Sequence, residues 1–160
     1  YRVPKCMVKV IIHLVLVSSI ASGQLREGAW GIKAELGGSP TLGIAYCVQK
    51  DLRLGVDLGF TSSKSPSDTS TMFSVGISPW YYLGTVESVS TFVGGMIAFS
   101  SRSNGSSQSG FALAGHFGAE YWFSQRFAWN VHLALGLTGY SGPCGSQFGT
   151  STSTGLTWFF

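Results

Sequence analysis

The chain reads as all-β: an eight-stranded antiparallel up-and-down transmembrane β-barrel, preceded by a signal peptide. Three observations carry that expectation. Apolar residues recur at every second position through most of the chain. Charged residues are only 11% of the 160 residues while aromatics are 14%, too little charge for a plain soluble surface. The large apolar side chains share one parity of the alternation, and the other parity is mostly Gly, Ala, Ser and Thr. The composition also excludes a disordered chain, which needs low hydrophobicity and high charge.

Residues 1–23 have the layout of a secretory signal peptide. Arg2, Lys5 and Lys9 come first, then the apolar run Val10 to Val17, then the small residues Ser18 to Gly23. Cleavage is expected before Gln24, with cleavage after Ala21 as the alternative, and Met7 is an alternative start. The apolar run is shorter than the ~20 residues a membrane helix needs. The barrel is assigned to 24–160. Beyond Gln24, seven basic and seven acidic residues cancel. No basic stripe is left to attract phosphates, so nucleic acid is not an expected partner. Cys6 precedes the apolar run, which argues against a lipidated cysteine. Cys47 and Cys144 are expected at opposite ends of the molecule, too far apart for a disulfide.

The first strand places Trp30, Ile32, Ala34 and Leu36 on one face and Gly31, Lys33 and Glu35 on the other. The second alternates Leu42, Ile44, Tyr46 and Val48 with Gly43, Ala45 and Cys47. The third alternates Leu52 to Phe60 with Arg53, Gly55, Asp57 and Gly59. The fourth sets Phe73, Val75, Ile77 and Tyr81 against Ser74, Gly76, Ser78 and Trp80. The fifth carries Val89, Thr91, Val93, Ile97 and Phe99 on its greasy face. The sixth sets Phe111, Leu113, Phe117, Ala119, Tyr121 and Phe123 against Ala112, Ala114, His116, Gly118 and Glu120. The seventh sets Phe127, Trp129, Val131, Leu133, Leu135 and Leu137 against Asn130, His132 and Gly136. The last runs from Phe148 to Phe160.

Strands of about 8 to 13 residues match the 9–11 that cross a bilayer when tilted. Tight connections are expected at 49–51, 83–87 and 124–126, and longer polar loops at 61–70, 101–110 and 141–147. The first outer connection, 37–40, is short. With the amino terminus periplasmic, the outward aromatics fall at two heights: Trp30, Tyr46, Tyr81, Tyr121, Phe123, Phe127, Trp129, Trp158 and Phe160 low, and Phe60, Phe73, Phe99, Phe111 and Phe148 high. Two aromatic girdles around an aliphatic band are what membrane interfaces select. A soluble lipocalin-like binding barrel has the same strand count but puts its charge outside.

The carboxyl-terminal stretch resembles the assembly signal of outer-membrane barrels, with Ser153, Gly155, Trp158 and Phe160 at its polar, glycine, hydrophobic and terminal aromatic places. Gly118-Ala119-Glu120-Tyr121-Trp122-Phe123 resembles a Gly-x-Glu-Tyr-x-Phe run of small bacterial barrels. On these residues the chain is similar to the OmpX/OmpA-like superfamily of outer-membrane proteins. The resemblance implies insertion by the barrel assembly machinery into the outer membrane of a Gram-negative bacterium, with outer-membrane lipid and lipopolysaccharide as surroundings. It selects no single role among adhesion, membrane integrity, solute passage and lipid modification; a structural or surface-interaction role is the expectation.

Two cross-lumen ion pairs are expected, Arg53–Glu120 and Lys33–Asp57, because buried charge is costly unless paired. They are expected to fill the lumen, which in an eight-stranded barrel leaves no aqueous channel. No catalytic residues, cofactor or metal are assigned, and a monomer is expected. An enzymatic alternative, a lipid A acylase or deacylase, finds no triad: His116 and Glu120 lie about 13 Å apart along one strand. His116, His132 and Cys47 are expected at different heights, without ligand spacing.

Overall fold

The parity of the side chains decides the architecture. In the computed structural model, which describes residues 26–37, 40–65, 68–104, 106–141 and 146–160, eight strands close into one antiparallel barrel in chain order. They are β1 (Trp30–Leu36), β2 (Thr41–Gln49), β3 (Leu52–Ser65), β4 (Asp68–Val86), β5 (Val89–Asn104), β6 (Ser106–Ser124), β7 (Phe127–Tyr140) and β8 (Ser146–Phe159). The expected leader, 1–23, and Cys144 lie outside the described residues. The barrel closes because β1 pairs with both β2 and β8, which leaves no edge over the height of β1.

The register gives the barrel its dimensions. A ladder of partners runs from Ile32 through Ile44, Val56, Ile77, Ile97, Leu113 and Leu137 to Phe148. Leu36 faces Thr154, so Phe148 faces a place six residues beyond Leu36 and ten beyond Ile32. A stagger of ten over eight strands requires tilted strands, near 40°, and about 2.5 Å of axial height per residue. Tyr81 and Phe73, eight residues apart on β4, are then separated by ~20 Å along the axis. With their rings included, this approaches the ~25 Å apolar band of membrane barrels.

Large apolar side chains point outward on every strand: Ile32, Ile44, Val56, Ile77, Ile97, Leu113, Leu135 and Leu156 are all exposed. The buried set is mixed, with Lys33, Arg53, Asp57, His116, Glu120 and Asn130 beside Trp80, Phe92 and Trp122. This inverts the distribution of a soluble protein. Lipid, unlike water, accepts the aliphatic surface, and the closed sheet satisfies the backbone.

The connections differ from expectation in two places. β4 runs on through Val86, and the turn is only Glu87-Ser88, with Glu87 at φ 54° and a bulge between Tyr82 and Gly84. The bulge absorbs the extra residue that broke the alternation at 83–87. On the other side, most of 61–70 and 101–110 is strand rather than loop. Ser63 pairs with Ser70 and Ser101 with Ser109, so the β3–β4 and β5–β6 hairpins stand as long Ser/Thr-rich ribbons. Strand length is therefore 7 to 19 residues, not 8 to 13. Polar β-branched and serine residues keep pairing once they leave the bilayer, because a hairpin needs alternation in burial only where one face is covered.

Candidate functional site

The lumen is where the charged side chains meet. From β3 and β6, Arg53 Nη1 donates to Glu120 Oε1 at 2.8 Å, and Tyr82 Oη donates to Glu120 Oε2 at 2.6 Å. Arg53 is 1% and Glu120 0% exposed, so the pair is fully withdrawn from water. The Arg53 guanidinium lies over the Trp80 ring at 4.1 Å, and Trp80 stacks on Phe92 at 4.1 Å and 12°. The cation thus has a carboxylate on one side and an aromatic face on another, both favourable in a desolvated place.

A second cluster adjoins it. Lys33 Nζ lies 2.9 Å from Asp57 Oδ1 and 3.4 Å from Glu35 Oε1, and donates to Ser78 Oγ at 3.2 Å. Ser78 Oγ in turn donates to Asp57 Oδ2 at 2.8 Å. Lys33 is also 5.1 Å from the centre of the Trp80 ring, so Trp80 joins both clusters. Both expected partnerships, Arg53 with Glu120 and Lys33 with Asp57, are therefore contacts of the lumen. Glu35 joins the second, which sequence reasoning had not paired.

Close approach at two points depends on glycine. A Cβ at Gly94 would strike His116 Nε2, and one at Gly43 would strike Asp57 Oδ1. Each glycine is the direct partner of that residue on the neighbouring strand, and only a residue without a side chain lets the polar group lie over it.

The two histidines correct an expectation. They were placed at different heights, yet the His116 and His132 rings lie 5.1 Å apart, each edge-on to Trp80 at 5.4 Å. The slant of the partner ladder compensates for their different positions along β6 and β7. Neither meets Cys47, which is buried with a free thiol in the cluster containing Ala29, Tyr82 and Trp122. His132 Nδ1 contacts Asn130 Oδ1 at 3.4 Å rather than a serine. Among the described residues no three His, Cys, Asp or Glu side chains group to hold a metal ion.

Below the ion pairs, the lumen is packed with aromatic rings that sequence reasoning left out. Tyr82, Phe92, Trp122 and Phe159 are all buried, Trp122 stacks on Phe159 at 5.5 Å, and Trp122 Nε1 donates to Ser90 Oγ at 3.1 Å. The signal was present: all four fall on the inward parity of their strands. The expectation of an inner face mostly of Gly, Ala, Ser and Thr, with a few charges, passes over them.

The upper lumen departs from a filled core. A hollow of about 250 Å³ is lined by Met96, Ala112, Ala114, Gly136, Gly149 and Ser151 among others. Alanine, glycine and serine are too short to meet across the barrel. Among the described residues, large buried rings therefore gather low in the barrel, and the hollow lies above them.

Of the expected assembly signal, Ser153 and Gly155 lie on the inward parity of β8, with Gly155 buried, while Trp158 and Phe160 are exposed on the outer wall. Trp158 packs on Phe127 at 5.6 Å within the lower girdle.

No family model and no curated protein matches the sequence. Solved structures match the fold. The N-terminal β-barrel domain of Pseudomonas aeruginosa OprF aligns with a TM-score of 0.58 at 17% identity, over 84% of this chain and 98% of that one. Neisserial surface protein A aligns at 0.60 and 18% identity, over 82% and 94%. The outer membrane protein OprG of Pseudomonas aeruginosa aligns at 0.53 and 11% identity, over 84% and 97%. At these identities the likeness is one of fold: the small eight-stranded barrel of outer-membrane proteins.

Proposed function

We propose that the chain is a small integral protein of a Gram-negative outer membrane, with a structural or surface-interaction role and no catalytic chemistry. The observation that carries this reading is the inverted distribution of polarity. An exposed aliphatic belt lies between two aromatic girdles, around buried Arg53–Glu120 and Lys33–Asp57 pairs. The likeness to outer-membrane barrels supports the same location. Against solute passage stands the lower lumen, where Trp80, Phe92, Trp122 and Phe159 are buried in one cluster. Against hydrolysis stands the site itself, where Ser78 bonds Asp57 and Lys33 rather than a histidine.

In this reading the carboxyl-terminal residues Ser153, Gly155, Trp158 and Phe160 are recognised by the barrel assembly machinery. The long β3–β4 and β5–β6 ribbons stand above the bilayer as the surface presented outside the cell. The test is fractionation with unboiled electrophoresis. The mature protein is expected in the outer-membrane fraction, migrating faster unheated than boiled. Recovery in the soluble periplasm would refute it. Lipid A mass spectra from cells with and without the gene are expected to be identical; an acyl-chain difference would return the enzymatic reading.

A further inference from the structure

The barrel wall is not of even height. β1 has seven residues and β2 nine, and only Gly37 to Pro40 joins them. Their neighbours continue upward alone. The last β1 partner on β8 is Thr154, paired with Leu36, and the last β2 partner on β3 is Gly59, paired with Thr41. Above these points, among the described residues, β8 and β3 have no strand on the side where β1 and β2 stop. Phe148 of the upper girdle stands six residues above Thr154, ~15 Å of axial height. The notch thus starts below the upper girdle, inside the apolar band, and is two absent strands wide, about 10 Å.

Two further observations fall at the same place. Every residue of β8 from Ser146 to Thr152 is exposed, inward and outward parities alike, whereas its lower end alternates. And β8 is also a wall of the upper-lumen hollow, through Gly149 and Ser151. A Cβ built on Gly149 meets nothing within 4 Å. Among the described residues, the hollow thus borders the notch along upper β8. Its lining is mixed: Met96, Ala112, Ala114 and Gly136 form an apolar side, and Thr138, Gln147 and Ser151 a polar one toward β8. An apolar cavity of ~150 Å³ already takes up benzene, so a hollow of about 250 Å³ has room for a segment of alkyl chain.

We propose that this notch is a lateral port through which the alkyl chain of an outer-leaflet lipid enters the upper lumen. The occupant follows from the surroundings. The lower lip of the port lies in hydrocarbon, where the molecules at hand are lipid chains. An open strand edge is tolerated at membrane depth only where it borders a cavity or finds partners. The N–H and C=O groups on that side of upper β8, which have no strand partner among the described residues, rise toward the headgroup level, where they bond the polar linkages of the same lipid. The chain goes inward against Met96, Ala112 and Ala114, and it stops at the Trp80 and histidine floor, so the lipid is held rather than passed across.

This rests on the membrane reading above, and the experiment separates the two. The deuterated barrel, with protonated Ala, Met and Leu methyl groups, is placed in phospholipid nanodiscs with protonated chains. Nuclear Overhauser contacts between chain protons and protein methyls are then recorded. Contacts are expected at the outward Leu54 and Leu135, and also at the luminal Met96, Ala112 and Ala114. The deeper Ala45 and Ala128 are expected to show none. Gly149→Phe, whose Cβ has open space and whose ring would occupy the hollow, is expected to abolish the luminal contacts and keep the outward ones. Gly149→Ser is expected to keep both, and unboiled electrophoresis checks that each variant is folded. Outward contacts without luminal ones, luminal contacts to water protons only, or luminal contacts that persist in Gly149→Phe overturn the port. Loss of the outward contacts overturns the membrane reading with it.

Discussion

Replacing Glu120 by Gln removes one charge from the lumen and almost nothing else. The amide keeps the carboxylate's shape, and its oxygen still accepts from Tyr82 Oη, 2.6 Å away in the native barrel. What is lost is the negative partner of Arg53, which lies 2.8 Å off and is 1% exposed. Arg53 Nη2 is already buried without a hydrogen-bond partner, so the guanidinium has no second acceptor to turn to. Trp80 offers its face at 4.1 Å, a contribution of ~2 kcal/mol or less. Breaking a buried pair from one side costs about 3–5 kcal/mol, because the remaining charge stays desolvated. Removing both charges, as Arg53→Met with Glu120→Gln, leaves no such charge and is expected to recover most of that loss. The assay is reversible urea unfolding in lipid vesicles, followed by tryptophan fluorescence, for both singles and the double. Expected are single losses of about 3 kcal/mol or more and a double clearly less destabilised than their sum. Two singles that each cost under ~1 kcal/mol and add would refute the claim that the pair is desolvated.

Other perturbations probe the outer wall and the packing. Ile77→Arg, on the exposed belt near the middle of the band, is expected to lose about 2–4 kcal/mol in the same vesicle assay. Ser107→Arg, on the β5–β6 ribbon above the upper girdle, is expected to change stability by less than ~0.5 kcal/mol. Gly94→Val drives a side chain into His116 and is expected to cost ~1–3 kcal/mol or to block folding, seen as loss of the fast unheated band. Cys47, fully buried in the lower cluster, is expected to resist a maleimide reagent in the folded barrel and to label fully once unfolded in urea. Deleting Phe160 is expected to lower the amount of barrel assembled in cells while leaving refolding of purified protein in vesicles intact; equal assembly would remove the role given to the carboxyl-terminal signal.

Much of the molecule was readable along the chain because alternation is a local property. Each strand's own residues decide which face is greasy, and a slip of one position would turn every side chain to the wrong medium. Trp30, Ile77 and Leu135 outward, and Lys33, Arg53 and Glu120 inward, required nothing beyond that parity. The heights of the aromatic girdles followed from counting along strands of alternating direction.

What lies beside what depended on closure, which is not local. The stagger of ten residues arises only when β1 meets β8. The Arg53–Glu120 pair, 67 positions apart, was still expected from the matching heights of the two residues, but the part that Tyr82 and Trp80 take in it was not. The stagger also levels His116 with His132, which counting strand by strand had set apart. The notch has the same origin: a four-residue connection is visible in the sequence, but its depth exists only relative to the register of β3 and β8. Parity is fixed by covalent geometry within a strand, whereas contacts across the lumen are fixed by hydrogen bonding around the whole ring, so the chain alone determined inside and outside and the closed barrel determined the neighbours.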